Sequence, residues 1–268
     1  MTLIKNETKR KVKAGEVALG FGVHHLRTSA VGMLAAATGH DWVFIDMEHG
    51  AFSMQEATQI CIAALTAGVS PIVRVAAEAI DEGARALDNG ALGVVVPHVD
   101  TRGQAERIAR AYRYPPAGTR SWGGPPAAFR FKPPAHAEAQ ALLNDEVLVV
   151  AMIESREALS NIEAIAAVDG IDMIAYGHSD LSARLGVHLQ LEHPTFKAAV
   201  RRIAEACRAY GKLARGSVET EAQIEEYWRM GCQVLNLPGN DITTYLDGLK
   251  ARASRARDRL KSIGVPAP

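Results

Sequence analysis

Trp42-Val43-Phe44-Ile45-Asp46-Met47-Glu48-His49-Gly50 is the stretch from which the architecture can be read: four apolar residues run directly into two carboxylates and an imidazole, closed by a glycine. A short unbroken apolar run is the signature of a strand buried on both faces. Ionisable groups crowded at the end of such a strand belong where an α/β barrel works, because the loops after the strands build its active face.

The same unit recurs outward from this stretch. Strands are expected at residues 17–23, 43–46, 70–75, 93–97, 147–153, 171–176, 212–215 and 233–237, as many as a barrel needs. Between them lie amphipathic segments such as 53–67, with Met54, Ala57, Cys61 and Ala64 at helical spacing, and 102–111, with Ala105, Ile108 and Ala109. No Gly-x-Gly-x-x-Gly follows the first strand and no phosphate-loop pattern occurs, which disfavours an open, doubly wound sheet. A single-domain (β/α)8 barrel over residues 1–268 is therefore predicted, a size at which that fold usually forms one unit of roughly 250 residues.

Composition narrows the function classes. Thirty basic and thirty acidic side chains cancel, so nucleic acid and anionic membranes are not favoured partners, and a small molecule is. Cys61, Cys207 and Cys232 are few, unevenly spaced and apolar in context, as expected of reduced thiols in a cytoplasmic protein. The basic N-terminus (Lys5, Lys9, Arg10, Lys11, Lys13) lacks the apolar core of a secretory signal. The longest uncharged stretch, 57–73, is interrupted by Gln59, Gly68, Ser70 and Pro71 and falls short of the roughly 20 apolar residues of a membrane span.

Two segments break the alternation. Residues 114–144 are rich in Pro and Gly, and are expected to form an insertion over the active face. Residues 242–263, rich in Arg, Lys, Leu and Ala, should be helical, as a solvated surface helix or as an arm exchanged between subunits.

At the expected strand ends stand Asp46, Glu48, His49, Arg74, His98, Glu154, His178 and Asp180, with Ser217 and Asn240 after the last two. Glu154 and Asp180, two carboxylates from adjacent strands without a Cys or an obligatory His, suit a hard divalent ion with open positions, Mg²⁺ or Mn²⁺. Taken singly, Glu154 could pair with Arg156 and Asp180 could cap a helix. Ser179-Asp180-Leu181-Ser182 reads as a helix start whose amides could hold a substrate carboxylate. A 2-oxo acid bound there would have its enolate oxygen stabilised by Arg74, and His49 is a candidate base oriented by Asp46 or Glu48. His24, His25 and His98 are weaker signals.

Together these motifs, with Pro71-Ile72-Val73-Arg74, Tyr114-Pro115-Pro116-Ala117-Gly118-Thr119-Arg120 and Ile153-Glu154-Ser155-Arg156-Glu157-Ala158, resemble the HpcH/HpaI aldolases, the metal-dependent class II 2-oxo-acid aldolases. The likeness runs from about Val17 to Leu237. It implies a barrel whose last helix packs on a neighbouring subunit, in a homo-oligomer often built as a hexamer, a trimer of dimers. It implies a divalent metal on Glu154 and Asp180 (Mg²⁺ or Mn²⁺, with Co²⁺ or Zn²⁺ as further candidates). Arg74 would stabilise the enolate, His49 oriented by Asp46 would transfer the proton, and Gly177, Ser179 and Asp180 would bind the pyruvate unit. The implied reaction is reversible cleavage of a 4-hydroxy-2-oxo acid to pyruvate and an aldehyde. The same enolate could instead meet another electrophile, as in relatives that resemble macrophomate synthase or the siderophore-type citrate synthase. A Schiff-base aldolase using Lys212, or a barrel that only senses a 2-oxo acid, are the remaining rivals. The chain departs from the family pattern at His178 and Trp122, both expected to influence acceptor choice.

Overall fold

All eight expected strands form, their ends shifted by at most a few residues, in a computed structural model that describes residues 3–265. They are β1 (Ala18–Val23), β2 (Trp42–Asp46), β3 (Ser70–Arg74), β4 (Gly93–Val96), β5 (Leu148–Ile153), β6 (Met173–Tyr176), β7 (Leu213–Ser217) and β8 (Val234–Asn240). Each pairs in parallel with the next, and β8 returns to β1 with Val234 opposite Ala18, so the sheet closes. The helices are α1 (Glu7–Lys13), α2 (Ala30–Ala37), α3 (Met54–Ala67), α4 (Ile80–Asp88), α5 (Arg102–Ala111), α6 (His136–Glu146), α7 (Arg156–Ser160), α8 (Ile162–Ala166), α9 (His178–Arg184), α10 (Pro194–Ala209), α11 (Glu221–Met230) and α12 (Asp241–Ser262). Among the described residues no helix is long and apolar enough to cross a membrane.

Strand alternation sorts the core into two layers. Val43, Ile45, Val73, Val94 and Val149 face the helices, whereas Trp42, Phe44, Ile72, Leu148, Val150 and Met173 fill the barrel. Gly20, opposite Trp42 in register, is what admits the indole, because a side chain at that position would collide with the ring. The three cysteines are free and buried, and burial raises their thiol pKa values, to about 12 for Cys207 and Cys232.

The N-terminal end of the barrel is closed by α1, which the sequence reading left without a structural role. Asn6 caps the helix and donates through Nδ2 to the carbonyls of Leu92 (3.0 Å) and Glu146 (3.0 Å). Glu7 N–H donates to Ser70 Oγ at 2.7 Å. The basic side chains serve the same closure, since Lys9 Nζ reaches the carbonyls of Asp145 (2.6 Å) and Val147 (2.9 Å).

The Pro/Gly-rich segment is at that end too, and the expectation of an active-face insertion is corrected. It joins α5 to β5, and a connection leading from a helix into a parallel strand must arrive at the strand's N-terminal end. Ile4 N–H donates to Ala128 O (2.8 Å), Arg120 pairs with Asp88 at the end of α4 (2.7 Å), and Arg113 pairs with Asp172 at the foot of β6. Trp122 packs there against His136, with ring centroids 5.0 Å apart, away from the chain's own active face. Proline and glycine content marked the segment as irregular but carried no information about which end it occupies.

At the opposite end, α12 leaves the barrel with only its first residue buried. That residue, Asp241, accepts the backbone N–H groups of His24 (3.1 Å), His25 (2.8 Å) and Leu26 (2.6 Å), fixing the loop after β1. Asp241→Ala is expected to destabilise the fold by about 1–2 kcal/mol, since three part-buried backbone donors lose a charged acceptor. Urea unfolding measures this, and a change below about 0.5 kcal/mol would show the loop to be held by other means.

Candidate active site

A cavity of about 460 Å³ opens at the C-terminal ends of the strands. Its charged wall begins with register: Asp46 and Arg74 are paired positions on β2 and β3 and both point inward. Arg74 closes a planar fork on Asp46, Nε to Oδ1 at 2.9 Å and Nη2 to Oδ2 at 2.5 Å, while its Nη1 lies 3.2 Å from Glu48 Oε2. Burial alone would raise the Asp46 pKa. The Arg74 hydrogen bonds and charge, with the His49 backbone N–H, outweigh it and hold the carboxyl below its ordinary value.

The expectation that Asp46 orients the His49 ring is corrected. Asp46 Oδ1 accepts the backbone N–H groups of Glu48 (3.0 Å) and His49 (3.2 Å), which sets the turn, but the His49 side chain is 62% exposed. Its Nε2 is 3.7 Å from Glu48 Oε2. Alternation stops where β2 ends, and both Asp46 oxygens are already committed to Arg74. The imidazole beside Asp46 belongs to His24, with Nδ1 at 3.4 Å from Oδ2, and burial lowers its pKa so that it is neutral at pH 7. Its place just past β1 was the available signal, obscured by the adjacent His25.

Glu154 follows β5 and is 2% exposed. Its Oε2 accepts the His98 N–H at 2.9 Å, a donor presented by left-handed backbone at His98 (φ 53°), and the His98 ring Nδ1 lies 3.3 Å away. His98 therefore holds Glu154. Gly177 adjoins the other oxygen, and any side chain at 177 would occupy the space against Oε1. Burial raises the Glu154 pKa, with His98 and Arg74 opposing. Asp180, in the first turn of α9, borders the same cavity, as do Gly177, His178 and Ser179.

These residues fit a divalent cation. Glu154 Oε1 accepts no hydrogen bond among the described residues, the donors are all oxygens, and no group of three or more His, Cys, Asp or Glu gathers into a closed cage. Two carboxylates with room beside them are the arrangement of an ion that keeps positions for water or substrate.

Arg215 on β7 went unnoticed as a site residue: it ends the strand expected at 212–215, whereas β7 runs on to Ser217 and places Arg215 within it. It points into the barrel and stacks on Phe44 at 5.1 Å, as Arg74 does at 5.3 Å. Lys212 is not in this site: its Nζ donates to Val168 O (2.9 Å) at the N-terminal end of β7, which removes it as a Schiff-base lysine.

The sequence profile of the HpcH/HpaI aldolase/citrate lyase family matches residues 26–246. The chain belongs to that family. It is 35% identical over 225 residues to a 4-hydroxy-4-methyl-2-oxoglutarate aldolase of Chaetomium globosum, covering 83% of this chain and 84% of that one. It is 34% identical over 256 residues to the 2-keto-3-deoxy-L-rhamnonate aldolase of Klebsiella pneumoniae, covering 93% and 92%. The crystal structure of an HpcH/HpaI aldolase from Desulfitobacterium hafniense superposes with a TM-score of 0.86 at 28% identity, covering 97% of each chain. An aldolase, and so a carbon–carbon lyase, is what this member of the family is.

Proposed function

We propose that this aldolase cleaves a 4-hydroxy-2-oxo acid reversibly to pyruvate and an aldehyde, with Glu154 and Asp180 holding Mg²⁺ or Mn²⁺. The observation that carries the reading is the placement of these two carboxylates and the carboxylate-braced Arg74 around one cavity. The ion, when bound, supplies Lewis acidity toward the oxygens of the 2-oxo acid. The backbone amide of Ser179 binds the substrate carboxylate beside Gly177, whose own N–H donates to Ile153 O (3.2 Å) and whose lack of a side chain leaves the space open. His49, beside Glu48, removes the proton of the 4-hydroxyl. The C4 oxygen then forms the aldehyde carbonyl, the C3–C4 bond breaks, and its electron pair moves through C3 onto the C2 oxygen, whose negative charge Arg74 stabilises. Asp46 and Glu48 keep the guanidinium in place without having to move.

The working form in this proposal is a homo-oligomer, a hexamer of paired subunits exchanging α12, on which Tyr245, Leu246 and Leu249 are exposed. Exchange of pyruvate methyl protons with deuterated water tests the chemistry without needing the aldehyde. Exchange that appears with Mg²⁺ or Mn²⁺, stops on chelation and returns on adding the metal back is the expected result. No exchange with either metal would overturn the reading.

A further inference from the structure

Arg215 is a buried cation without a carboxylate. It is 7% exposed, and among the described residues no acidic side chain lies within ion-pair distance of it. Of its five N–H donors, one reaches a partner, Nη2 to Ser217 Oγ at 3.3 Å, and its Nε is buried with no acceptor. Burial, together with the like charge of Arg74, presses its pKa down to about 10, so the guanidinium remains charged at neutral pH. One strand away, Asn236 Oδ1 is also buried without a partner, and Ser217 and Asn236 are register neighbours on β7 and β8. All three residues line the cavity.

An uncompensated charge is costly inside a barrel and persists where a ligand neutralises it. Arg74 cannot share that ligand through its Asp46-facing edge, because Nε and Nη2 are bonded to Asp46. Barrel order also separates the two arginines. Arg74, Glu154 and Asp180 come from β3, the end of β5 and the first turn of α9 after β6, whereas Arg215, Ser217 and Asn236 come from β7 and β8. The 1-carboxylate of a 2-oxo acid is adjacent to its keto oxygen and belongs with Glu154 and Asp180.

We propose that Arg215, with Ser217 and Asn236, forms a subsite for a second carboxylate, carried on C4 of the substrate, so that the preferred substrates are 2-oxo dicarboxylates. A planar guanidinium edge matches a carboxylate in two-point contact, and the acceptor product released from such a substrate is itself an oxo acid. This inference rests on the aldol reading above.

The test compares 4-hydroxy-2-oxoglutarate with 4-hydroxy-2-oxopentanoate, which carry a carboxylate and a methyl group respectively on C4, using full-length Mg²⁺-loaded enzyme. Wild type is expected to favour the dicarboxylate by about 50-fold in kcat/KM, the size of effect a charged hydrogen-bonded contact gives. Arg215→Gln should bring that ratio close to one, and Arg215→Lys should keep part of it. A wild-type enzyme without the preference overturns the inference, and this needs no variant to fold. An Arg215→Gln enzyme that loses equally on both substrates overturns it too, assigning Arg215 to the 1-carboxylate or to the fold. Pyruvate methyl exchange by wild type separates the two levels: exchange without the preference sinks the second subsite alone, whereas neither exchange nor cleavage sinks the aldol reading.

Discussion

Glu154→Gln is expected to lower kcat/KM for aldol cleavage by about 10³-fold or more, because a lost ligand withdraws several kcal/mol of transition-state stabilisation. The amide is nearly the same shape and its oxygen can still accept the His98 N–H, so the loss falls on cation binding. Titration with Mn²⁺ followed by electron paramagnetic resonance should show the weakened site, and Asp180→Asn should act in the same direction. Turnover within tenfold of wild type in Glu154→Gln, or full turnover after chelation, would remove the cation from this pair. Stability should move the other way. The Glu154 pKa is raised by burial, so holding the side chain ionised in the fold costs free energy that grows as pH rises from its unfolded to its folded pKa and stays constant above. The glutamine has no such cost. Metal-free Glu154→Gln should therefore unfold at equal or higher urea concentration than wild type at pH 7, the trade expected of a residue kept for function.

The barrel was legible because its strands are short apolar runs that water excludes from any other position. Trp42-Val43-Phe44-Ile45 and Leu148–Ile153 needed only their hydrophobic continuity to be placed. The rim followed from the strands, since whatever comes next in sequence stands at the active end. That rule brought Arg74, Glu154 and Asp180 to one cavity and failed where position along the chain does not determine direction. Past Asp46 the backbone turns, and with the alternation gone nothing local revealed that the neighbouring imidazole would be His24 and not His49. Arg215 failed for a different reason. It ends the strand expected at 212–215 with no second charged residue beside it to mark a site, and only the closed barrel shows that the interior it enters already contains Phe44 and an ion-paired Arg74. The segment 114–144 shows the limit of composition: proline pairs and glycines predict irregular backbone, while the end of the barrel it reaches depends on whether a helix or a strand precedes it.

Arg74→Met should disable the enzyme and weaken the fold together. Asp46 is fully buried, and removing its partner leaves an uncompensated carboxylate at a cost of about 3–5 kcal/mol. The pH dependence identifies the origin of that loss. The Asp46 pKa is depressed in the folded protein, so its contribution is complete above the unfolded value of about 3.9 and disappears as pH falls through the lower folded value. The stability gap between wild type and Arg74→Met should accordingly be widest at neutral pH and narrow as pH drops below about 4. Urea unfolding at pH 7 and pH 3 measures both, and a gap that is constant or wider at pH 3 would place the loss in packing against Phe44 and not in the ion pair. Arg74→Lys separates stability from chemistry. An ammonium keeps the charge beside Asp46 and recovers part of the stability, but a single nitrogen cannot meet both Asp46 oxygens and Glu48 while also facing the developing oxyanion. Its kcat should remain about 10²-fold below wild type. Wild-type rates in a lysine enzyme of near-wild-type stability would mean that Arg74 braces the wall of the cavity and takes no part in the bond cleavage.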